Sequence, residues 1–533
     1  MSSSPTSISA TALKAALHDG GEIALLDARD EVPFDARHLL MAACVPLSRL
    51  ELLVDTCVPR RSARVVWCDD GEGLAQRAAT RMMVLGYTHV AVLAGGIATW
   101  EAQGYRIYSG MHVPSKAFAE VVEHEAKTPW ITAEELKALI DDKANIALFD
   151  SRSYEEFHGN SIPTAISVPG AELVYRFADL VPSPNTTVVV NCGGRTRSII
   201  GAQSLINAGV PNKVVSLKNG TQAWHLSGFE VLKGSTDRPP AVSQAGHAAA
   251  RAGAYRVTEK FGIERIDEAT LAAWQTEADT RTLYVFDVRT PEEYLAGHIP
   301  NMKNVPGGQL IQETERHATT WGARVVLVDD DGVRAVMTAH WMKQMGWDAA
   351  AMTVDMKTVG QQTGPWQARV LGLDNVTVPI IDAAALRQRM QSGGVSVVDL
   401  DWSRDYRDGH IPGAWFGIRA RLDTIIEQLP PKEVVVFTSS DGVLAKLATA
   451  DLLKIAAVPT FALEGGTAAW RTARFALEQG ATRMATAPDD IRLRAREQDT
   501  NIEEAMQAYL SWEIDLADKM ATDDDQRFRI RTG

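Results

Sequence analysis

Thr187-Val188-Val189-Val190-Asn191-Cys192-Gly193-Gly194-Arg195-Thr196-Arg197-Ser198 is the stretch from which the rest of the chain is read. Three consecutive valines suit a strand buried on both faces of a parallel sheet. Two glycines and two arginines then form a loop, and Ser198-Ile199-Ile200-Gly201-Ala202-Gln203-Ser204-Leu205 begins a helix. Cys192 therefore stands where a strand gives way to a helix N-terminus and a concavity of backbone N–H groups, both of which favour an anion. Arg195 and Arg197 add positive charge. The expectation is a thiol whose pKa falls well below the free value of about 8.5. It should also escape burial, because two arginines beside a buried thiol would be costly to desolvate.

The same layout recurs along the chain, and repeats of this kind govern the architecture. Four hydrophobic runs end in aspartate: Ile23 to Asp27, Ile146 to Asp150, Leu283 to Asp287 and Val395 to Asp399. The first three continue Asp-x-Arg, at Arg29, Arg152 and Arg289, whereas the fourth carries Asp401 at that place. About ten residues on come Arg37-His38-Leu39, Gly159-Asn160-Ser161-Ile162-Pro163, Gly297-His298-Ile299-Pro300 and Gly409-His410-Ile411-Pro412. Then Cys68, Cys192, Asp329 and Ser439 each follow their aspartate by 40 to 42 residues. Three segments close on a glycine-containing turn and a tryptophan, at Trp100, Trp224 and Trp470.

The Asp-x-Arg…Gly-His-Ile-Pro stretch resembles the first signature of rhodanese-homology domains, and the Gly-Gly-x-x-x-Trp ending resembles their second. Cys192 stands where that family carries its persulfide-forming cysteine. The resemblance implies an α/β fold of four tandem modules, each a small parallel sheet flanked by helices. The alternation of strand and helix patterns points to the same class. The expected division is 5–112, 127–235, 263–372 and 376–478 for the modules and 479–533 for a helical tail.

The four loops differ. The second is Cys192-Gly193-Gly194-Arg195-Thr196-Arg197 and the first Cys68-Asp69-Asp70-Gly71-Glu72-Gly73. Carboxylates beside Cys68 raise a thiol pKa and repel anionic donors, so the first module is expected to be inactive. The third, Asp329-Asp330-Asp331-Gly332-Val333-Arg334, has no thiol and reads as a solvated acidic turn. The fourth, Ser439-Ser440-Asp441-Gly442-Val443-Leu444, offers a serine with no adjacent base. Cys44 and Cys57 carry no motif and read as structural.

The chain has 533 residues, 45% hydrophobic and 23% charged, as in an ordinary globular protein. Four cysteines make no disulfide framework, and a reducing cytoplasmic setting would preserve a reactive thiol. The N-terminus carries no signal-peptide pattern, and no run approaches the length of a membrane span. A net charge of −13 disfavours nucleic acid as a partner. Gly110 to Lys127 reads as one linker, and Ser235 to about Gly262 as a longer polar, Ala-rich one. The short join near Gly372-Leu373-Asp374-Asn375 suggests that modules three and four pack closely. Asp489-Asp490-Ile491 looks like a helix start, and Ile502 to Ile514 is apolar at helical spacing, fit to pack on its own chain or to pair in a homo-oligomer.

The function implied is sulfur transfer by double displacement. The Cys192 thiolate takes the outer sulfur of an anionic donor such as thiosulfate, or of a small persulfide, and passes it to cyanide, glutathione or another thiol. Gly193, Gly194, Arg195, Thr196, Arg197 and Ser198 would hold the substrate, with no cofactor and no metal. Three alternatives compete. A related cysteine phosphatase needs five residues between cysteine and arginine, and that position here is Ser198. A scaffold or protein-fed persulfide relay fits the three degenerate loops. Redox sensing through Cys192 lacks a resolving cysteine nearby in sequence.

Overall fold

The four aspartate-ended runs are strands: Ile23–Asp27, Ile146–Asp150, Leu283–Asp287 and Val395–Asp399. Each pairs in parallel with the strand that leads into its loop, namely Arg64–Cys68, Thr187–Asn191, Arg324–Asp329 and Val434–Thr438. The computed structural model describes residues 4–431, 434–498 and 500–531. Met1, Ser2 and Ser3, which enter the signal-peptide reading, lie outside them. The second sheet runs in the order Trp130–Ile131, Val214–Leu217, Thr187–Asn191, Ile146–Asp150, Ile166–Ser167, and the third and fourth sheets repeat that five-stranded order. Helices cover the faces, as parallel strands require. The fold is therefore four α/β modules followed by a helical C-terminal region. Among the described residues, no helix is long and apolar enough to cross a membrane.

The modules share sheets and cores. Thr320–Trp321, from the third module, adds an antiparallel strand to Ile23–Ala24 of the first and covers that open edge. The expected linker at Gly110 to Lys127 contains the helix Val113–Ala126, most of whose residues are buried. The expected polar linker from Ser235 to Gly262 contains another helix, Gln244–Phe261, capped by the Ser243 hydroxyl and ended by Gly262 at φ +61°. Its buried face is Gly246, Ala250, Gly253, Ala254, Val257 and Phe261, and it packs on Glu172–Leu180 and Arg334–Gln344. Small residues there let the backbones come close, which is why the stripe read as a linker.

Two further expectations are corrected. The fourth module packs on the first: Arg419 binds Glu51 at 2.6 and 3.0 Å, and Arg77 donates to the Ala420 carbonyl at 2.9 Å. Among the described residues, no hydrogen bond or ion pair links the third module to the fourth. The join runs over the first module instead, where the Leu371 amide donates to the Glu51 carbonyl at 3.1 Å. At Asp489 and Asp490 no helix begins. Their carbonyls accept from the Val32 and Glu31 amides, and the Asp490 carboxylate accepts from the Ser403 amide at 2.7 Å, so the pair joins modules one and four.

Each Asp-x-Arg is a buried bidentate pair. Arg152 reaches Asp150 through Nε at 2.9 Å and Nη2 at 2.7 Å and also donates to the Asn160 carbonyl. Arg29 and Arg289 do the same with Asp27 and Asp287. Where the fourth module has Asp401, burial pushes the Asp399 carboxyl up to about 8, and Asp401 adds to the shift. Arg152→Ala, which strands Asp150, should cost about 3–5 kcal/mol in denaturant unfolding. Asp399→Asn should cost less than about 1 kcal/mol. The unfolded chain ionises Asp399 near pH 4 and the folded chain only near pH 8. Stability contributed by this group is thus lost as pH rises between those values, and Asp399→Asn should remove that loss.

Candidate active site

Cys192 follows directly on the central strand Thr187–Asn191, and the helix Thr196–Asn207 starts four residues later. The loop is held from behind by the turn Asn219-Gly220-Thr221. The Thr221 amide and hydroxyl donate to the Cys192 carbonyl at 2.8 and 2.9 Å, and the Gln222 amide donates to the Gly193 carbonyl at 3.1 Å. A Cβ on Gly220 would lie 2.3 Å from the Cys192 carbonyl oxygen, and its φ is +54°. Only glycine fits there, which gives the glycine of the second signature its physical role.

Burial and acidity depart from expectation. Cys192 is 2% exposed. Burial pushes its pKa up from the ordinary thiol value, while Arg197 and the Ser198 hydroxyl and amide pull the other way. The expected depression is therefore overturned: desolvation outweighs the nearby charge. The thiol lies 3.6 Å from Ser198 Oγ, which itself donates to the Arg195 carbonyl at 2.7 Å.

The two loop arginines have different surroundings. Arg195 turns away to the Val113–Ala126 helix, where it pairs with Glu120 at 2.7 Å and with Glu123, and it also donates to Asn219 at 3.1 Å. Arg197 pairs with Glu156 at 2.6 Å and Gln309 at 2.8 Å, and it is the arginine whose charge acts on Cys192. Burial alone would raise the Glu156 carboxyl, but Arg197 holds it well below the usual range. Gly193 lies against the Arg152 stem, while Gly194 faces Tyr509 and Glu513.

The other three loops fill their own amides. In the third module Asp329, fully buried, accepts from the amides of Gly332, Val333 and Ala335 at 3.1, 3.0 and 2.9 Å. Asp331 is also buried and pairs with Arg334. This loop is a buried capping cluster, not the solvated acidic turn expected. In the first module Asp69 accepts from Gly71 and Ala75 at 3.1 and 2.9 Å, and burial and Asp27 hold the Cys68 thiol well above its ordinary pKa. In the fourth, Ser439 Oγ accepts from the Ala445 amide at 3.3 Å. Around Cys192, among the described residues, no side chain oxygen accepts from the amides of Gly193 to Arg197.

The C-terminal region closes over this loop. The helix Ile502–Ile514 and the segment before it bring Arg494 to Glu156 at 3.3 Å, Arg496 to the Thr221 carbonyl at 3.4 Å, and Glu513 to the Thr196 hydroxyl at 2.6 Å. Sequence reasoning missed Glu120, Glu123, Glu156, Arg496, Tyr509 and Glu513. One signal was available. Met506, Leu510 and Glu513 are the buried positions of this helix, so a carboxylate stands on an apolar stripe.

A family model described as rhodanese-like domain matches residues 9–103, 132–227, 268–356 and 382–473. The chain is 45% identical to a thiosulfate sulfurtransferase from Pseudomonas aeruginosa of known crystal structure, over 98% of this chain and 99% of that one, with a TM-score of 0.96. A protein from Bacillus halodurans is 23% identical over 20% of this chain and 77% of its own, at a TM-score of 0.19. One from Anabaena sp. is 25% identical over 19% and 92%, also at 0.19. No curated protein matches the chain in sequence.

The charge balance at Cys192 gives a test. Alkylation followed by intact mass should show a pH midpoint above that of a free thiol, and Arg197→Ala should move it higher still, since the thiolate loses its nearest cation. A midpoint below the free thiol would contradict the dominance of burial.

Proposed function

Because the chain belongs to the rhodanese-like family, we propose that it is a sulfurtransferase working through a persulfide on Cys192, with thiosulfate as a donor. The observation that carries the reading is the contrast among the loops: Cys192 alone joins a thiol to amides that no carboxylate caps. The likeness to a thiosulfate sulfurtransferase over nearly the whole chain supports the same donor.

The chemistry balances without an external oxidant. The Cys192 thiolate attacks the outer sulfur of thiosulfate and a new S–S bond forms. The bond to the sulfonate sulfur breaks, and its electron pair leaves with sulfite. The persulfide is left among the N–H groups of Gly193, Gly194, Arg195, Thr196 and Arg197, where it is stabilised as an oxyanion would be. Ser198 and Arg197 favour the thiolate at the start and at the end of the cycle. Arg195, locked to Glu120 and Glu123, positions the loop against the Val113–Ala126 helix. An acceptor, cyanide or a thiol, then removes the outer sulfur, giving ping-pong kinetics.

Intact mass after incubation with thiosulfate tests this. The protein should gain one sulfur atom, lose it to cyanide, and gain none as Cys192→Ser. A gain that survives in the variant would move the site to Cys68, and no gain would remove thiosulfate as donor. Arg197→Ala should lower kcat/KM for thiosulfate roughly a hundredfold. Arg195→Ala should act mainly on stability.

A further inference from the structure

Glu513 is a buried carboxylate without a cation. Its side chain is 0% exposed. One oxygen accepts from the Thr196 hydroxyl at 2.6 Å, and the other, Oε2, is buried without a close hydrogen bond, the Tyr509 hydroxyl being the polar group beside the carboxylate. Oε2 lies 3.2 Å from the point where a Cβ on Gly194 would stand, so it looks into the loop that follows Cys192. The charged and titratable groups around it are Lys116, Glu120, Arg195, Tyr509 and Cys192. Among the described residues none of the cations pairs with it. Lys116 Nζ lies over the Tyr509 and Trp512 rings at 4.9 and 4.8 Å, and Arg195 is taken by Glu120 and Glu123.

A buried carboxylate without a cation carries a desolvation cost that its one short hydrogen bond, from Thr196, does not offset. Beside a site that binds anionic sulfur it also opposes the first half-reaction, since its charge raises the Cys192 pKa. Its place is accounted for if the second half-reaction uses it. Anionic acceptors need no base, but a thiol must lose its proton to attack. A carboxylate oxygen packed against Gly194 with no close hydrogen bond is the acceptor such a proton requires once the acceptor enters the covered site.

We propose that Glu513, carried by the C-terminal helix outside the four modules, is the general base that deprotonates a thiol acceptor in the second half-reaction. The inference rests on the persulfide reading of Cys192. The acceptor S–H bond breaks and its proton goes to Oε2. The acceptor sulfur bonds to the outer sulfur of the persulfide, and the Cys192 Sγ–S bond breaks with its electron pair returning to Sγ. The product leaves as the acceptor's persulfide, and Glu513 releases the proton to solvent. The substrate class is therefore a small neutral-headed thiol, taken in preference to an acceptor that is already an anion.

Glu513→Gln keeps the shape and an oxygen for Thr196. Persulfide is loaded from thiosulfate, or from inorganic polysulfide if thiosulfate fails, and its discharge is followed by intact mass with dithiothreitol and, separately, with sulfite. The expected result is a crossover. Loading and discharge to sulfite speed up because a repelling charge is gone, while discharge to dithiothreitol near neutral pH slows by at least about tenfold. That deficit should shrink as pH rises toward the thiol's own pKa, where solvent supplies thiolate. Equal slowing with both acceptors would assign Glu513 a purely structural part and overturn the proposal, as would an unchanged dithiothreitol rate at all pH values. If no donor persulfidates Cys192 in the wild type, the persulfide reading falls and this one with it.

Discussion

The buried Asp–Arg pair that closes the aspartate-ended strand of the first three modules is the constraint on which the rest is built. Asp150 is fully buried at a strand terminus, where its charge is tolerated only because Arg152 meets it with two parallel N–H groups. The same arginine donates to the Asn160 carbonyl, and Asn191 Nδ2 donates to Asp150 at 3.2 Å. One pair thus ties two strands and a turn together immediately before Cys192. The fourth module shows what happens without the arginine. Its Asp399 is held protonated by burial, and Asp401 turns outward to the Ser440 amide and hydroxyl. The fold persists there with the arginine absent and the carboxyl pushed up by burial.

From that platform one backbone geometry is used in two ways. The amide six residues beyond the loop's first residue points back at its side chain: Asp329 on Ala335, Ser439 on Ala445, and Cys192 on Ser198. A carboxylate or hydroxyl there caps its own helix and stabilises the module. A thiol caps weakly and leaves the amides available to an incoming anion. The first, third and fourth modules pack on the rest of the chain. They lend an edge strand, a helix face and an arginine network to the chain as a whole.

Strand positions, the loop–helix junctions and the repeat were legible because they depend on local patterns: continuous apolar runs, glycine punctuation and recurring aspartates. The partners of the loop arginines were not. Glu120 and Glu123 arrive from the helix before the second module, Glu156 from another turn, and Gln309 from the third module. No spacing rule links such residues, and without them Arg195 and Arg197 read as free charge and the thiol as acidic. The helix Gln244–Phe261 was legible in its caps, Ser243 and Gly262, but its buried stripe of glycine and alanine lacks the bulk that marks an apolar face.

Burial of the Cys192 thiol under the C-terminal segment is consistent with the proposed chemistry. A persulfide exposed to water and bulk thiols would lose its sulfur to any passing nucleophile, and a covered site prevents such side reactions. The cover raises the thiol pKa, and Arg197 offsets part of that rise. Arg197 in turn would be intolerable in the same dry space without Glu156, and Arg195 without Glu120 and Glu123. Each charge brought in to serve the sulfur thus required another to hold it. The chain of pairs ends at Glu513, the buried carboxylate against Gly194 that, among the described residues, pairs with no cation.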